Sequence, residues 1–173
     1  MRKFDYALFD LDGTLVDSSE GIIRCIRHAL EVINVRDVPE EKMRSFIGPP
    51  FRSTLRSFPQ VDAQTMEAML KVYRSHYDSS GWKELKVYDG IFDLLKTLKD
   101  AGMTLAVATS KPARFTNKVI EHFGFSPYFS YVGAAEEDGV RDRKSEVIEH
   151  VLKTLNIEDR SRVVMIGDTR YDV

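Results

Sequence analysis

The sequence has a single cysteine, Cys25, so no disulfide can form within the chain and a reducing compartment is expected. It also lacks a basic excess, because 25 Lys and Arg stand against 27 Asp and Glu, which argues against a nucleic-acid-binding surface. No apolar run approaches the roughly 20 residues that a membrane helix needs. Asp5 and Asp10 interrupt any signal-peptide core. These absences predict a soluble, cytoplasmic protein without nucleic-acid or membrane partners; they leave its oligomeric state open.

Four short apolar runs, each followed by turn-forming residues, predict buried strands at 6–9, 105–108, 128–132 and 163–166. Unbroken apolar runs are typical of strands that are covered on both faces. Amphipathic helical patterns fill the spaces between these strands. The alternation predicts an α/β protein with a Rossmann-like, doubly wound parallel sheet, in which ligands bind at the carboxyl ends of the strands.

The first two predicted strands are much further apart in sequence than a crossover requires. One helix, predicted at 90–100, is enough to connect parallel strands. Residues 17–87 are therefore predicted to be a helical insertion, which leaves 1–16 and 88–173 as the α/β core.

The first predicted strand ends in two aspartates, Asp10 and Asp12, followed by Gly13 and Thr14 in FDLDGTLVDS. A single aspartate here could simply close a turn by hydrogen bonding to nearby amides. That interpretation does not explain why the other predicted strands also end in polar residues.

The second and third strands are followed by hydroxyl and lysine side chains. Ser110 and Lys111 precede a predicted helix, where their amides could bind an anion, although a plain helix cap is the simpler interpretation. Lys144 lies just before another helix, where the helix dipole disfavours a cation. A phosphate-binding lysine and a solvated lysine are equally good interpretations of that placement.

The fourth strand ends at Asp168, and Asp172 follows four residues later. Because the carboxyl ends of parallel strands converge, these carboxylates and those of the first strand should lie close together and repel one another. A bound cation removes that repulsion, and oxygen ligands favour Mg²⁺. The sequence therefore predicts a site for Mg²⁺ and phosphate.

Four segments, FDLDGTLVDS, ATSKP, RKSEVI and IGDTRYDV, resemble the signature motifs of the haloacid dehalogenase superfamily, in the family's order. The insertion at 17–87 resembles the family's small α-helical cap. FIGPPF, at 46–51, resembles a cap segment of phosphoglycolate-phosphatase-like members. In many relatives a proline follows the third-motif lysine, whereas Ser145 follows Lys144 here.

The resemblance implies a Mg²⁺-dependent phosphatase that hydrolyses a small phosphomonoester, such as phosphoglycolate or a nucleotide monophosphate, through an aspartyl-phosphate. Asp10 would be the nucleophile, Asp12 the general acid and base, and Lys144 a catalytic residue that offsets the nucleophile's charge. The implied metal ligands are Asp10, Asp12 through its backbone carbonyl, Asp168 and Asp172. The implied phosphate-binding residues are Gly13, Thr14, Ser110, Lys111 and Lys144. The candidate specificity residues of the cap are Gly48, Pro49, Pro50 and Arg52, although a GPP segment that simply joins two cap helices is a nearly equal interpretation.

Two other functions stay open on the sequence. A sugar-phosphate mutase could use the same fold, and receiver domains also combine a phosphorylated aspartate with Mg²⁺, a hydroxyl and a lysine. A receiver has no cap insertion and carries its acidic pair and its phosphoacceptor on different strands, so an enzyme is favoured. In proteins that this chain resembles, the sequence continues beyond the fourth motif, so a longer natural protein is expected.

Overall fold

The computed structural model describes residues 3–47, 52, 55–136, 141 and 143–172. The chain divides into two compact units. One, the α/β unit, comprises Met1–Asp17 and Lys86–Val173, and the other, the helical unit, comprises Ser18–Leu85. The insertion predicted at 17–87 falls on the helical unit, and its role as a cap stays a prediction.

The α/β unit is organised around a parallel sheet. Its described strands are β1 (Tyr6–Phe9), β2 (Val16–Asp17), β3 (Lys86–Val87), β4 (Thr104–Pro112), β5 (Tyr131–Ala135) and β6 (Val163–Ile166). Four of them pair in parallel in the order β5-β4-β1-β6, whereas β2 and β3 form a short antiparallel pair. Leu8 and Phe9 of the central strand β1 are fully buried. This architecture confirms the predicted fold class.

The helical unit has its own apolar core. Its described helices are α1 (Ser19–Glu31), α2 (Glu40–Arg44) and α3 (Ala63–Ser79), and a 3₁₀ turn, Gly81–Lys83, follows α3. Ile26 and Leu30 of α1 share a buried cluster with Met69 of α3. Asp62 caps α3 by accepting a hydrogen bond from the backbone amide of Thr65 at 2.7 Å.

Three further helices belong to the α/β unit: α4 (Ile91–Asp100), α5 (Ala113–His122) and α6 (Lys144–Thr154). Val147 and Val151 of α6 pack on Leu8 and Ala106 of the sheet. The chain passes from β1 to β4 and β5 on one side, and then returns to β6 on the other side of β1. Such a reversal of strand order opens a crevice at the carboxyl ends of the central strands, where doubly wound folds bind ligands. In the described part of the chain, no helix combines the length and the apolar character that a membrane crossing requires.

The third strand is Tyr131–Ala135 rather than the predicted 128–132. The amide of Tyr128 donates to the carbonyl of Phe125 at 3.0 Å, so this part of the aromatic run forms a turn. Phe129 packs edge-on against Phe9, with ring centroids 6.0 Å apart. The run is apolar because its side chains cover the sheet. Apolar residues that pack against a sheet and apolar residues within a strand give the same sequence pattern, so the sequence did not separate the two.

Candidate active site

The end of β1 holds Asp10 in a buried position. Its backbone amide donates to the carbonyl of Ile166 at 2.9 Å, which extends the pairing with β6 by one residue. One carboxylate oxygen of Asp10 accepts a hydrogen bond from the amide of Leu11 at 2.7 Å. The side chain is therefore fixed by the backbone on the crevice side of the central strand.

Gly13 permits the tight turn that follows β1. Its φ of +82° lies in the left-handed region, and its amide donates to the carbonyl of Val16 at 2.8 Å. A Cβ atom added to Gly13 would lie 2.2 Å from a carboxylate oxygen of Asp168. Glycine is therefore required both by the backbone conformation and by the close approach of this carboxylate. Thr14, from the same turn, lies with its hydroxyl 3.5 Å from Asp168.

Lys144 connects two of the carboxylates. Its Nζ lies 2.7 Å from Asp10 and 2.8 Å from Asp172, and it donates to the carbonyl of Ala108 at 3.3 Å. The side chains of Lys144, Asp10 and Asp172 are only 6%, 10% and 5% exposed. Two buried carboxylates stabilise a cation at the start of α6, where the helix dipole alone would disfavour it.

Asp172 is held by its own loop. Its second carboxylate oxygen accepts hydrogen bonds from the amide and the hydroxyl of Thr169, at 2.9 and 2.8 Å. Gly167 leaves the space for this arrangement, since an added Cβ would lie 2.1 Å from the carboxyl carbon of Asp172. The loop after β6 therefore folds back to bring Asp172 to Lys144.

The two carboxylates bound to Lys144 differ in their pKa. Burial raises the pKa of Asp10 above its usual value, although Lys144 and hydrogen bonds from Thr109 and Leu11 oppose the rise. Burial also opposes ionisation of Asp172, but hydrogen bonds from Lys144 and Thr169 outweigh it and lower the pKa of that group. Asp172 is thus the better stabilised anion, and ionisation of Asp10 depends on the positive charge near it.

Asp10, Asp168 and Asp172 together have the chemistry of a metal site. Each offers one carboxylate oxygen, and these three oxygens lie within 4.8 Å of one another. An all-oxygen donor set suits a hard divalent cation such as Mg²⁺. The space that Gly13 and Gly167 leave for two of these carboxylates is a second observation that fits a metal site.

Asp12 and Lys111 form a separate pair beside this cluster. Lys111 Nζ lies 2.7 and 3.0 Å from the two carboxylate oxygens of Asp12. The side chain of Lys111 is 6% exposed and that of Asp12 is 26% exposed. The structure thus brings Lys111 to the carboxylate of Asp12, a contact that the sequence did not predict.

Thr109 is the site residue that the sequence prediction missed. It is buried, and its hydroxyl hydrogen bonds to Asp10, whereas Ser110, the predicted phosphate-binding hydroxyl, is exposed. β4 continues to Pro112 instead of ending before Ser110, and its pairing with β5 shifts register between Thr109 and Pro112, so the exposure of these side chains could not be read from the predicted strand end. In the sequence, the only signal for it is a threonine that directly follows the predicted strand at 105–108.

The predicted specificity residues belong to the helical unit. Gly48, Pro49 and Pro50 lie outside the described residues. Arg52 is described, and its guanidinium pairs with Glu67 at 2.7 Å.

The end of the α/β sheet thus holds a cluster of carboxylates and lysines, and the comparisons with known proteins show the family to which the chain belongs. The model of the haloacid dehalogenase-like hydrolase family matches residues 7–173, so the chain belongs to this family. The family that the motifs predicted is thereby confirmed.

Individual relatives carry different names. The tyrosine-protein kinase PtkA of Mycobacterium tuberculosis is 40% identical over 167 residues, covering 96% of this chain and 56% of its own length. A 5'-nucleotidase of Pseudomonas aeruginosa is 36% identical over 172 residues, covering 99% of this chain and 77% of the nucleotidase. Among solved structures, a predicted phosphatase from Clostridium acetobutylicum is similar with a TM-score of 0.89 and 37% identity, covering 99% of this chain and 79% of that one. The chain thus spans little more than half the length of the kinase and over three quarters of the nucleotidase.

Proposed function

We propose that this protein hydrolyses small phosphomonoesters through a phosphoryl group carried on Asp10. The observation that carries the proposal is the placement of Asp10. Its carboxylate is buried at the end of the central strand, 2.7 Å from Lys144 and within reach of two further carboxylates. A carboxylate nucleophile divides one difficult displacement into two easier ones.

The residues around Asp10 match the requirements of such a reaction. Asp10, Asp168 and Asp172, with the backbone carbonyl of Asp12, would hold Mg²⁺. When bound, Mg²⁺ supplies positive charge that lets an anionic ester approach an anionic nucleophile. Lys144 offsets the charge of Asp10 and helps to keep it ionised despite its burial.

Asp12 suits a different role from that of Asp10. Its carboxylate is more exposed than that of Asp10 and is paired with Lys111. We assign it the proton transfers: it protonates the leaving oxygen in the first step, and in the second step it takes a proton from the attacking water. General acid and base catalysis of this kind typically contributes about 10²–10⁴-fold to the rate.

Phosphate oxygens need further hydrogen-bond donors in this site. In this structure the hydroxyl of Thr109 donates its one proton to Asp10. On substrate binding that proton would turn to a phosphate oxygen, and we propose Thr109 for this role in preference to the exposed Ser110. The amides of Gly13 and Thr14, which the sequence assigned to phosphate binding, donate within their own turn instead, to the carbonyls of Val16 at 2.8 Å and Leu11 at 3.3 Å. As substrates we propose nucleoside monophosphates first, because the relative named a 5'-nucleotidase is 36% identical, and phosphoglycolate second.

Phosphoryl transfer to an acceptor other than water is the second candidate function. The observation that favours it is the relative named a tyrosine-protein kinase, which is 40% identical over nearly the whole of this chain. Transfer to a sugar phosphate, as in a mutase, belongs to the same class. Release of free phosphate from a phosphomonoester, compared with phosphoryl transfer to a tyrosine peptide or a sugar phosphate, separates hydrolysis from transfer.

The test compares wild type with Asp10→Asn in Mg²⁺, on a panel of nucleoside monophosphates, phosphoglycolate and an activated aryl phosphate. Asp10→Asn should lower turnover of all of them by several orders of magnitude, whereas Asp93→Asn, at an exposed aspartate of α4, should have no effect. Beryllofluoride should give a bound ¹⁹F signal with wild type and none with Asp10→Asn. Near-normal turnover by a folded Asp10→Asn variant would exclude covalent catalysis by this residue.

A further inference from the structure

Lys111 is a buried lysine that pairs with the partly exposed carboxylate of Asp12. Its side chain is 6% exposed, and its Nζ lies 2.7 and 3.0 Å from the two oxygens of Asp12. Removing an ammonium group from water costs several kcal/mol unless good partners compensate. Contact with both oxygens of one carboxylate is a specific compensation, and it restricts rotation of the Asp12 side chain.

The backbone of Lys111 is itself fixed on both sides. Its amide donates to the hydroxyl of Thr109 at 3.2 Å, and its carbonyl accepts from the hydroxyl of Thr116 at 3.2 Å. The pairing of β4 with β5 shifts register between Thr109 and Pro112, so this segment departs from regular strand geometry. Lys111 is therefore an anchored residue from which the ammonium group reaches Asp12.

We infer that Lys111 is a positioning residue that fixes the carboxylate of Asp12 for proton transfer, rather than a ligand of the phosphate group. The inference rests on the proposed function, in which Asp12 gives its proton to the leaving oxygen and later receives one from water. A carboxylate has about four lone-pair directions, and Lys111 uses two, so acceptor sites remain for the reacting groups. Displacement of a catalytic group by about 1 Å can cost about 10²-fold in rate.

A phosphate ligand and a positioning residue predict different kinetics. Loss of a phosphate ligand weakens binding of every phosphomonoester to a similar extent. Loss of a residue that positions the general acid affects substrates according to their leaving group. The leaving group of an alkyl phosphate is a strongly basic alkoxide, so it needs protonation by the general acid. The leaving group of an aryl phosphate such as p-nitrophenyl phosphate is weakly basic and needs little protonation.

The experiment measures kcat/KM, which reports the first irreversible step, for an alkyl and an aryl phosphate with Lys111→Met and Lys111→Gln. We expect each variant to lose at least about tenfold, and up to about 10²-fold, more with the alkyl substrate than with the aryl one. Both neutral variants are measured so that a folding defect in one does not decide the result. Lys96→Met, which breaks an exposed ion pair with Asp100 on α4, is the matched control and should leave both substrates unaffected.

A double-mutant cycle supplies the second readout. If Lys111 acts through Asp12, adding Lys111→Met to Asp12→Asn should cost nothing further with the alkyl substrate. If the losses caused by Lys111→Met and Asp12→Asn are fully additive, Lys111 does not act through Asp12 and the inference is overturned. An equal fall in kcat/KM for the alkyl and the aryl substrate, with a raised KM, would also overturn it and would make Lys111 a phosphate ligand. A rise in kcat/KM would also overturn it, since the ion pair would then restrain Asp12 from reacting.

Failure of the proposed function gives a different result. In that case wild type releases no phosphate from either substrate, whatever stands at position 111. The ¹³C carboxyl signal of Asp12 still tests the contact then. It should shift or split in Lys111→Met and stay unchanged in Lys96→Met, and an unchanged signal in Lys111→Met would refute the positioning role without any reference to turnover.

Discussion

Lys144→Met removes the ammonium group between Asp10 and Asp172 and keeps an unbranched side chain of similar length. Lys144 Nζ lies 2.7 Å from one carboxylate and 2.8 Å from the other, and all three side chains are buried. Removing one partner of a buried ion pair typically costs about 3–5 kcal/mol, because the remaining charge is desolvated and unpaired. We expect the free energy of unfolding of the α/β unit to fall by about this amount at neutral pH in the presence of EDTA.

Hydrogen exchange of the β1 amides measures this loss. These amides are at the centre of the sheet and should exchange only when the α/β unit unfolds, so their exchange should accelerate by about two to four orders of magnitude. Fluorescence is unsuitable because the single tryptophan, Trp82, belongs to the helical unit. Lys96→Met is again the control, since exposed ion pairs contribute little. Unchanged protection of β1 in Lys144→Met would refute this electrostatic account of the cluster.

The free energy of unfolding that Lys144→Met loses relative to wild type should also depend on pH. In the wild type, Lys144 acts to lower the pKa of both Asp10 and Asp172, so its removal raises both values. The folded variant then binds protons more readily than its unfolded chain, and its stability falls as pH rises from about 4 to 7. Mg²⁺ should restore part of the loss, because it binds only the folded site and replaces the missing positive charge. A deficit that grows towards acidic pH would contradict this reasoning.

Two further predictions test individual site residues. Thr109→Val removes the hydroxyl that hydrogen bonds to Asp10 and should lower kcat/KM for phosphomonoesters by about ten- to a hundredfold. Ser110→Ala should change kcat/KM little. A larger loss with Ser110→Ala than with Thr109→Val would assign the phosphate-binding hydroxyl to Ser110. Gly13 and Gly90 both have a left-handed φ, +82° and +79°, but of the two only a Cβ at Gly13 would collide with a carboxylate, at 2.2 Å. Gly13→Ala should therefore cost far more activity and stability than Gly90→Ala. Equal losses in thermal unfolding and turnover would attribute the cost to backbone conformation alone.

Much of the α/β fold could be predicted because its strands are short, apolar and isolated from one another by turn signals. β1 and β6 match the predicted strands residue for residue. Since parallel strands end at the same edge of a sheet, strand ends alone were enough to predict that Asp10 and Asp168 would converge. Lys144 lies at the start of a helix, where spacing left a solvated lysine equally open, and the resemblance to the family assigned it to the site. The described structure brings Lys144 and the carboxylates of this edge together as expected, while their catalytic roles stay predictions.

The residues that the sequence did not assign depend on features without a local signature. β4 continues past the point where its apolar run ends, with a register shift between Thr109 and Pro112, and in this segment Thr109 and Lys111 are buried whereas Ser110 is exposed. The contact of Lys111 with Asp12 joins residues 99 positions apart, so it follows from strand register and not from any motif. The aromatic residues before β5 were mistaken for strand because core packing and strand pairing require the same side chains.

The charges of the site explain why two buried lysines are present. Asp10, Asp12, Asp168 and Asp172 contribute four negative charges when ionised, and Lys111 and Lys144 contribute two positive ones. With all four ionised the remaining charge is −2, which a single divalent cation would neutralise, and it is −1 while Asp12 carries the proton that the proposed mechanism requires. Without the lysines the excess would be two units larger in each state. The two lysines contact different carboxylates: Lys144 pairs with Asp10 and Asp172, and Lys111 pairs with Asp12. If the proposed roles hold, this division would let Asp12 keep its own geometry while the charge around Asp10 changes during phosphoryl transfer.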